Sequence, residues 1–214
     1  MGAVRVKICG LRTHDTLNGA LDAGADEVGL VFFAASPRNI SLDNAAGLAA
    51  AAAGRAEVVA LTVDADDALI EEIVARVRPQ VLQLHGHESV GRAGELAERH
   101  GVKIWKAVPV SVAADVDAAR LFVPAVDKIL FDAKPPRDAR HPGGNGLTFD
   151  WSLLSQAHDI PFVLSGGLTP ATVATAIAAT HAQAVDVSSG VESAPGIKDV
   201  ALIRAFVRAA KSAA

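Results

Sequence analysis

Cys9 ends the string Lys7-Ile8-Cys9-Gly10, and Asp132 follows the apolar run Lys128-Ile129-Leu130-Phe131. A thiol with an ordinary pKa of about 8.5 is already slightly ionised at neutral pH, so Cys9 has the chemistry of a base or nucleophile. Its other reading is a small buried hydrophobe. A carboxyl group at the end of an apolar strand is costly to bury unless it is hydrogen-bonded or at work. Asp132 is therefore a candidate acid, with capping or pairing to Lys134 as the alternative. Two glycine-containing strings, Ser165-Gly166-Gly167 and Ser188-Ser189-Gly190, allow backbone N–H groups to approach an anion closely. Either alone reads equally well as a tight turn, but the pair together favours phosphate. Arg38 stands in Ser36-Pro37-Arg38-Asn39-Ile40-Ser41, a loop position at which most arginines are solvated. Gln83-Leu84-His85-Gly86-His87-Glu88 invites a metal reading, yet no third and fourth ligands with their own spacing accompany it. Trp105 and Trp151 read as core.

These residues are positioned by a repeating background. Apolar runs recur at Val4 to Cys9, Val28 to Phe33, Val58 to Val63, Val81 to Leu84, Lys103 to Val108, Lys128 to Phe131, Phe162 to Leu164 and Ala184 to Val187. Alanine-rich segments separate them, and the spacing is that of a βα unit. Nearly continuous apolar character fits parallel strands covered on both faces. Asp67 to Arg78 and Asp199 to Lys211 have the amphipathic spacing of outer helices, and each run is expected to be followed by a helix. The predicted fold is α/β, a single-domain (βα)8 TIM barrel over 1–214, with a doubly wound open sheet as the alternative. In such a barrel the strand ends and the loops after them converge on one face, which places all the candidates above together. The segment from Pro135 to Gly146, rich in Pro, Gly and charge, reads as a mobile loop; His141 within it shows no pattern.

Bulk properties narrow the function classes. The chain is 50% hydrophobic and 21% charged, enough for both a core and a hydrated surface. A net charge of -4 argues against a nucleic-acid binder. No run approaches the length of a membrane span and the start lacks a signal-peptide layout, so the expected address is cytoplasmic. One cysteine permits no intramolecular disulfide.

Lys7-Ile8-Cys9-Gly10, Gln83-Leu84-His85-Gly86, Leu164-Ser165-Gly166-Gly167-Leu168 and Asp186-Val187-Ser188-Ser189-Gly190-Val191-Glu192 resemble, in order and spacing, the signature strings of the phosphoribosylanthranilate isomerases. Phe131-Asp132, followed by Gly143-Gly144-Asn145-Gly146 and Phe149-Asp150-Trp151, is similar to the sixth-strand loop of that family. The resemblance implies an Amadori rearrangement of a small phosphorylated substrate, without metal or cofactor. It implies Asp132 as general acid, Cys9 as general base and Arg38 as holder of the anthranilate carboxylate. Gly166, Gly167, Ser189 and Gly190 would hold the phosphate; Gln83, His85, Ser165, Asp186 and Ser188 would be further substrate-binding residues. The nearest rival is a phosphate-binding barrel isomerase of histidine synthesis that uses two aspartates, against which Cys9 argues. A ligand-binding barrel that has lost catalysis is a second alternative. Monomer and homodimer are both admissible.

Overall fold

Strand and helix boundaries follow local chemistry that the sequence displays. The computed structural model describes residues 3–134 and 143–213. Eight parallel strands, β1 (Arg5–Cys9), β2 (Glu27–Phe32), β3 (Glu57–Thr62), β4 (Val81–Leu84), β5 (Lys103–Val110), β6 (Lys128–Ala133), β7 (Phe162–Leu164) and β8 (Ala184–Val187), form a closed barrel in chain order. Pairing of β1 with β8, Lys7 opposite Asp186, completes the ring and leaves no edge in this sheet. Each expected apolar run is a strand within two residues at either end. The largest extensions, two residues each at β5 and β6, come from the mutual pairing of Pro109 and Val110 with Asp132 and Ala133. Asp132 therefore belongs to the strand itself.

Helices α1 (His14–Ala23), α2 (Leu42–Ala52), α3 (Asp67–Val77), α4 (Val90–His100), α5 (Ala113–Ala119), α6 (Val173–Thr180) and α7 (Val200–Lys211) pack outside the barrel. Side chains of Thr13, Ser41, Asp66, Ser89 and Asp199 cap the free N–H groups that begin α1, α2, α3, α4 and α7. The expectation of a helix after every strand needs correction at one place. After β6 the described residues contain only a 3₁₀ helix, Trp151–Gln156, because just four residues separate its end from Pro161 at the entry to β7. After β8 a 3₁₀ turn at Ser189–Val191 leads into the antiparallel hairpin β9 (Glu192–Ala194) and β10 (Ile197–Lys198) before α7 begins.

Strand alternation sorts the apolar residues into two cores. Ile8, Val28, Leu30, Ala60 and Leu82 face outward onto the helices, while Val59, Val81, Trp105, Ala107, Leu130, Val163 and Ala184 fill the interior. Trp151 is half-buried against the outer core. At the amino-terminal end Arg5 bonds Glu27 and Glu57, Lys103 bonds Glu57, and the Lys128 ammonium lies 4.9 Å from the Trp105 ring centroid. Charge thus closes the bottom and side chains fill the middle, so only the carboxyl-terminal mouth is open. Trp105→Ala should empty the interior layer and lower stability by about 3–5 kcal/mol in chemical denaturation. A loss under about 1 kcal/mol would show that this layer does not support the barrel.

Candidate functional site

The open mouth is a cavity of about 740 Å³ lined by Cys9, Arg38, His85, Asp132, Ser165 to Leu168, Asp186 and Ser188 to Gly190, with residues 143–147 along one side. Strand parity explains the convergence. Cys9, Asp132, Ser165 and Asp186 occupy inward positions near the carboxyl ends of β1, β6, β7 and β8, while loops supply the rest. Gln83, expected as a substrate-binding residue, does not line the cavity. It is fully buried behind His85, with Nε2 3.1 Å from His85 Nδ1. The Pro135 to Gly146 loop falls in part outside the described residues, His141 included.

Asp132 is held tightly. Its Oδ1 accepts the N–H of Ala133 at 2.8 Å, and Oδ2 lies 3.4 Å from His85 Nε2. It makes no ion pair with Lys134 in the described structure. The other histidine of the His85-Gly86-His87-Glu88 string points elsewhere, since exposed His87 pairs with Asp64 at 3.0 Å. Buried Lys106 organises that turn by donating to the carbonyl of Gly86 at 2.7 Å and to Glu88 at 3.1 Å.

Cys9 is 3% exposed, and its thiol borders the cavity from the β1 side. Burial pushes the thiol above its ordinary value, and Asp186 adds to that. Lys7 and Lys198 pull it back down. Its backbone carbonyl accepts from Ser188 Oγ at 3.2 Å, which ties the ends of β1 and β8 together.

Arg38 departs from the solvated loop arginine. It is 5% exposed and presents Nε and Nη2 to Glu192 at 2.8 and 2.9 Å, a bidentate pair. Lys198 donates to the same carboxylate at 2.7 Å and to the Ser188 carbonyl at 2.8 Å. Burial would raise the Glu192 carboxyl, but Arg38 and Lys198 hold it below its usual value. Burial lowers Lys198 despite the pull of Glu192. Two cations against one carboxylate leave this wall of the site positive, as an acidic ligand requires. Glu192 and Lys198 were missed as functional candidates. Glu192 closed a recognised string but looked like any acidic residue, and Lys198 gave no signal, because a hairpin invisible in the hydropathy pattern brings it back to β8.

The two glycine strings are shaped for close approach. Gly166 and Gly167 adopt φ of 88° and 62°, and a Cβ at Gly190 would lie 1.9 Å from the Leu168 carbonyl oxygen. The loops after β7 and β8 therefore pack backbone against backbone, and their glycines line the cavity. Such a surface suits an anion with several acceptor oxygens.

The model of the N-(5'phosphoribosyl)anthranilate (PRA) isomerase family matches residues 6–209. A relative from Rhodopseudomonas palustris (strain BisA53), named N-(5'-phosphoribosyl)anthranilate isomerase, is 55% identical over 208 residues, 97% of this chain and 95% of its own. The crystal structure of phosphoribosyl anthranilate isomerase from Thermotoga maritima is similar with a TM-score of 0.89 at 38% identity, over 98% of this chain and 99% of the other. A crystal structure of phosphoribosyl anthranilate isomerase in complex with reduced 1-(o-carboxyphenylamino)-1-deoxyribulose 5-phosphate is similar with a TM-score of 0.86 at 35% identity, covering 98% and 99%.

If the glycine loops receive phosphate, inorganic phosphate should raise the unfolding temperature of the wild type by mass action. Gly190→Ala, whose methyl group forces the loops apart, should abolish that rise. Equal stabilisation of both proteins would take the loop after β8 out of the anion site.

Proposed function

The chain belongs to the N-(5'-phosphoribosyl)anthranilate isomerase family, and from that membership and the cavity we propose that it converts N-(5'-phosphoribosyl)anthranilate into 1-(2-carboxyphenylamino)-1-deoxyribulose 5-phosphate, an Amadori rearrangement in tryptophan biosynthesis. The observation that carries this reading is the single cavity shared by Cys9, Asp132, Arg38 and both glycine loops.

In this reading the phosphate rests on backbone around Gly166, Gly167, Ser189 and Gly190. Its binding energy fixes the sugar, remote from the bonds that change. Asp132, the general acid, delivers a proton to the ribose ring oxygen as the bond from that oxygen to C1 breaks. The anilinic nitrogen lone pair forms the C=N bond, which yields a protonated Schiff base. Cys9 as thiolate removes the C2 proton, and the electrons of that C–H bond become the C1=C2 bond of an enolamine. A proton then adds at C1 while the C2 hydroxyl loses one, leaving the ketone. C1 is reduced as C2 is oxidised within one molecule, so no external electron acceptor takes part. Acid and base act on two atoms that flank C1, which supports their assignment to two separate strands whose ends line one mouth.

Arg38 receives the anthranilate carboxylate. Glu192 occupies one edge of its guanidinium and the Gly144 carbonyl accepts from Nη2 at 3.2 Å, so Nη1 serves the substrate, and the bidentate pair with Glu192 fixes its orientation. His85 and Ser165 contact the sugar from beside Asp132 and Asp186, with Gln83 steadying the imidazole from behind. One barrel spanning the chain serves as the whole catalytic unit. No described helix is long and apolar enough to cross a membrane, and a diffusible phosphorylated substrate fits action in the cytoplasm.

The test is steady-state conversion of freshly generated phosphoribosylanthranilate, followed by loss of its fluorescence. Cys9→Ser and Asp132→Asn should each lower turnover by about 10²-fold or more, the usual scale for acid–base groups. Turnover of either variant within about threefold of wild type would remove its residue from that role. Arg38→Lys keeps the charge and loses the planar fork, so KM should rise more than kcat falls. An unchanged KM would dissociate Arg38 from the carboxylate.

A further inference from the structure

Lys7 is 1% exposed inside the barrel and has no part in the mechanism above. A lysine is almost never fully buried without a partner, and this one has Asp186. Its Nζ donates to Asp186 Oδ1 at 2.8 Å, directly across the β1–β8 seam where the two residues are in register. Cys9 stands two residues along the strand on the same inward face, and the Lys7 ammonium acts electrostatically on its thiol. Cys9 and Asp186 line the cavity and Lys7 does not, which places the cation beneath them. The thiol is confined on its other side, where a Cβ at Gly29 of β2 would lie 3.0 Å from Sγ.

We propose that Lys7, oriented by Asp186, is the positioning residue that stabilises the thiolate form of Cys9 for removal of the C2 proton. A buried ion pair is a poor device for stability alone, since well-packed apolar residues commonly do as well or better. A compact ammonium with three donors can serve a carboxylate and a thiolate at once. Ser165 Oγ donates to the second oxygen of Asp186 at 3.3 Å, which keeps that carboxylate turned toward Lys7. The charged groups that act on the thiol are Lys7 from its own strand, Asp186 from β8 and Lys198 from the hairpin; Arg38, His85 and Asp132 border the same cavity. Burial disfavours the thiolate, and among those groups Lys7 does most to favour it.

This inference rests on the reading of Cys9 as the base, but its test needs no substrate. Cys9 is the only cysteine, so the rate of iodoacetamide modification reports its thiolate fraction directly. At neutral pH Lys7→Gln, which retains a donor for Asp186, should lower the rate by about tenfold or more. Asp186→Asn removes the negative charge facing the thiol and should raise the rate. Both variants should converge on wild type at alkaline pH, where every thiol is ionised and only access matters. A rate for Lys7→Gln equal to or above wild type would overturn the proposal. If that variant fails to fold, Lys7→Met takes its place, and a rate equal to or above wild type rejects the role. A Cys9→Ser protein that still turns over would reject the base assignment instead, whatever the titration gives.

Discussion

Closure between β1 and β8 is the constraint on which the rest of the molecule depends. Residues 179 positions apart meet there, through the Lys7 to Asp186 ion pair below and the Ser188 hydroxyl to Cys9 carbonyl bond above. Without that seam the sheet would have two edges, and the strand ends would spread along a line. With it they form a ring. Side chains contributed by β1, β6, β7 and β8 then point into one space with no further device than the alternation of a strand.

Charge inside such a ring has to be arranged with care, because each buried ion gives up its hydration. The described interior and mouth meet that demand with small clusters: Lys7 with Asp186, Arg38 and Lys198 with Glu192, and Lys106 with Glu88. Each cluster also fixes a part of the cavity wall. Arg38 is oriented before any ligand arrives, the turn after β4 is pinned, and a cation stands under the thiol. Groups held in place in advance need little reorganisation when charge develops in a reaction, which is the usual source of electrostatic catalysis. The glycine loops extend the same principle to the backbone, which packs closely at the rim of the cavity.

Much of this was legible in the sequence. Apolar runs at βα spacing led to the eight strands, because hydropathy reports burial on both faces of a parallel sheet. Cys9, Asp132 and the glycine strings stood out because a thiol, a carboxyl group and paired glycines are conspicuous at strand ends. Pattern failed where structure departs from the repeat. The 3₁₀ segment at Trp151–Gln156 has the composition of a helix but lacks the length for one. The hairpin after β8 is too short to register, so Lys198 was overlooked, and Glu192 passed for a surface acid. Gln83 was expected to bind substrate as part of the string Gln83-Leu84-His85-Gly86, and it stands buried against the His85 imidazole. Pairing between distant segments decides which charged residues are buried, and no local window contains that information.

The central claim is that one cavity sets an acid and a base about one phosphorylated sugar. A crystal structure of this protein with the reduced product analogue tests it most directly. The account predicts phosphate within hydrogen-bonding distance of backbone N–H groups at 166–167 and 189–190, C2 of the sugar against Cys9 Sγ, and Asp132 on the side of the former ring oxygen. Phosphate bound away from both loops, or a sugar whose C2 is beyond reach of the thiol, would contradict it.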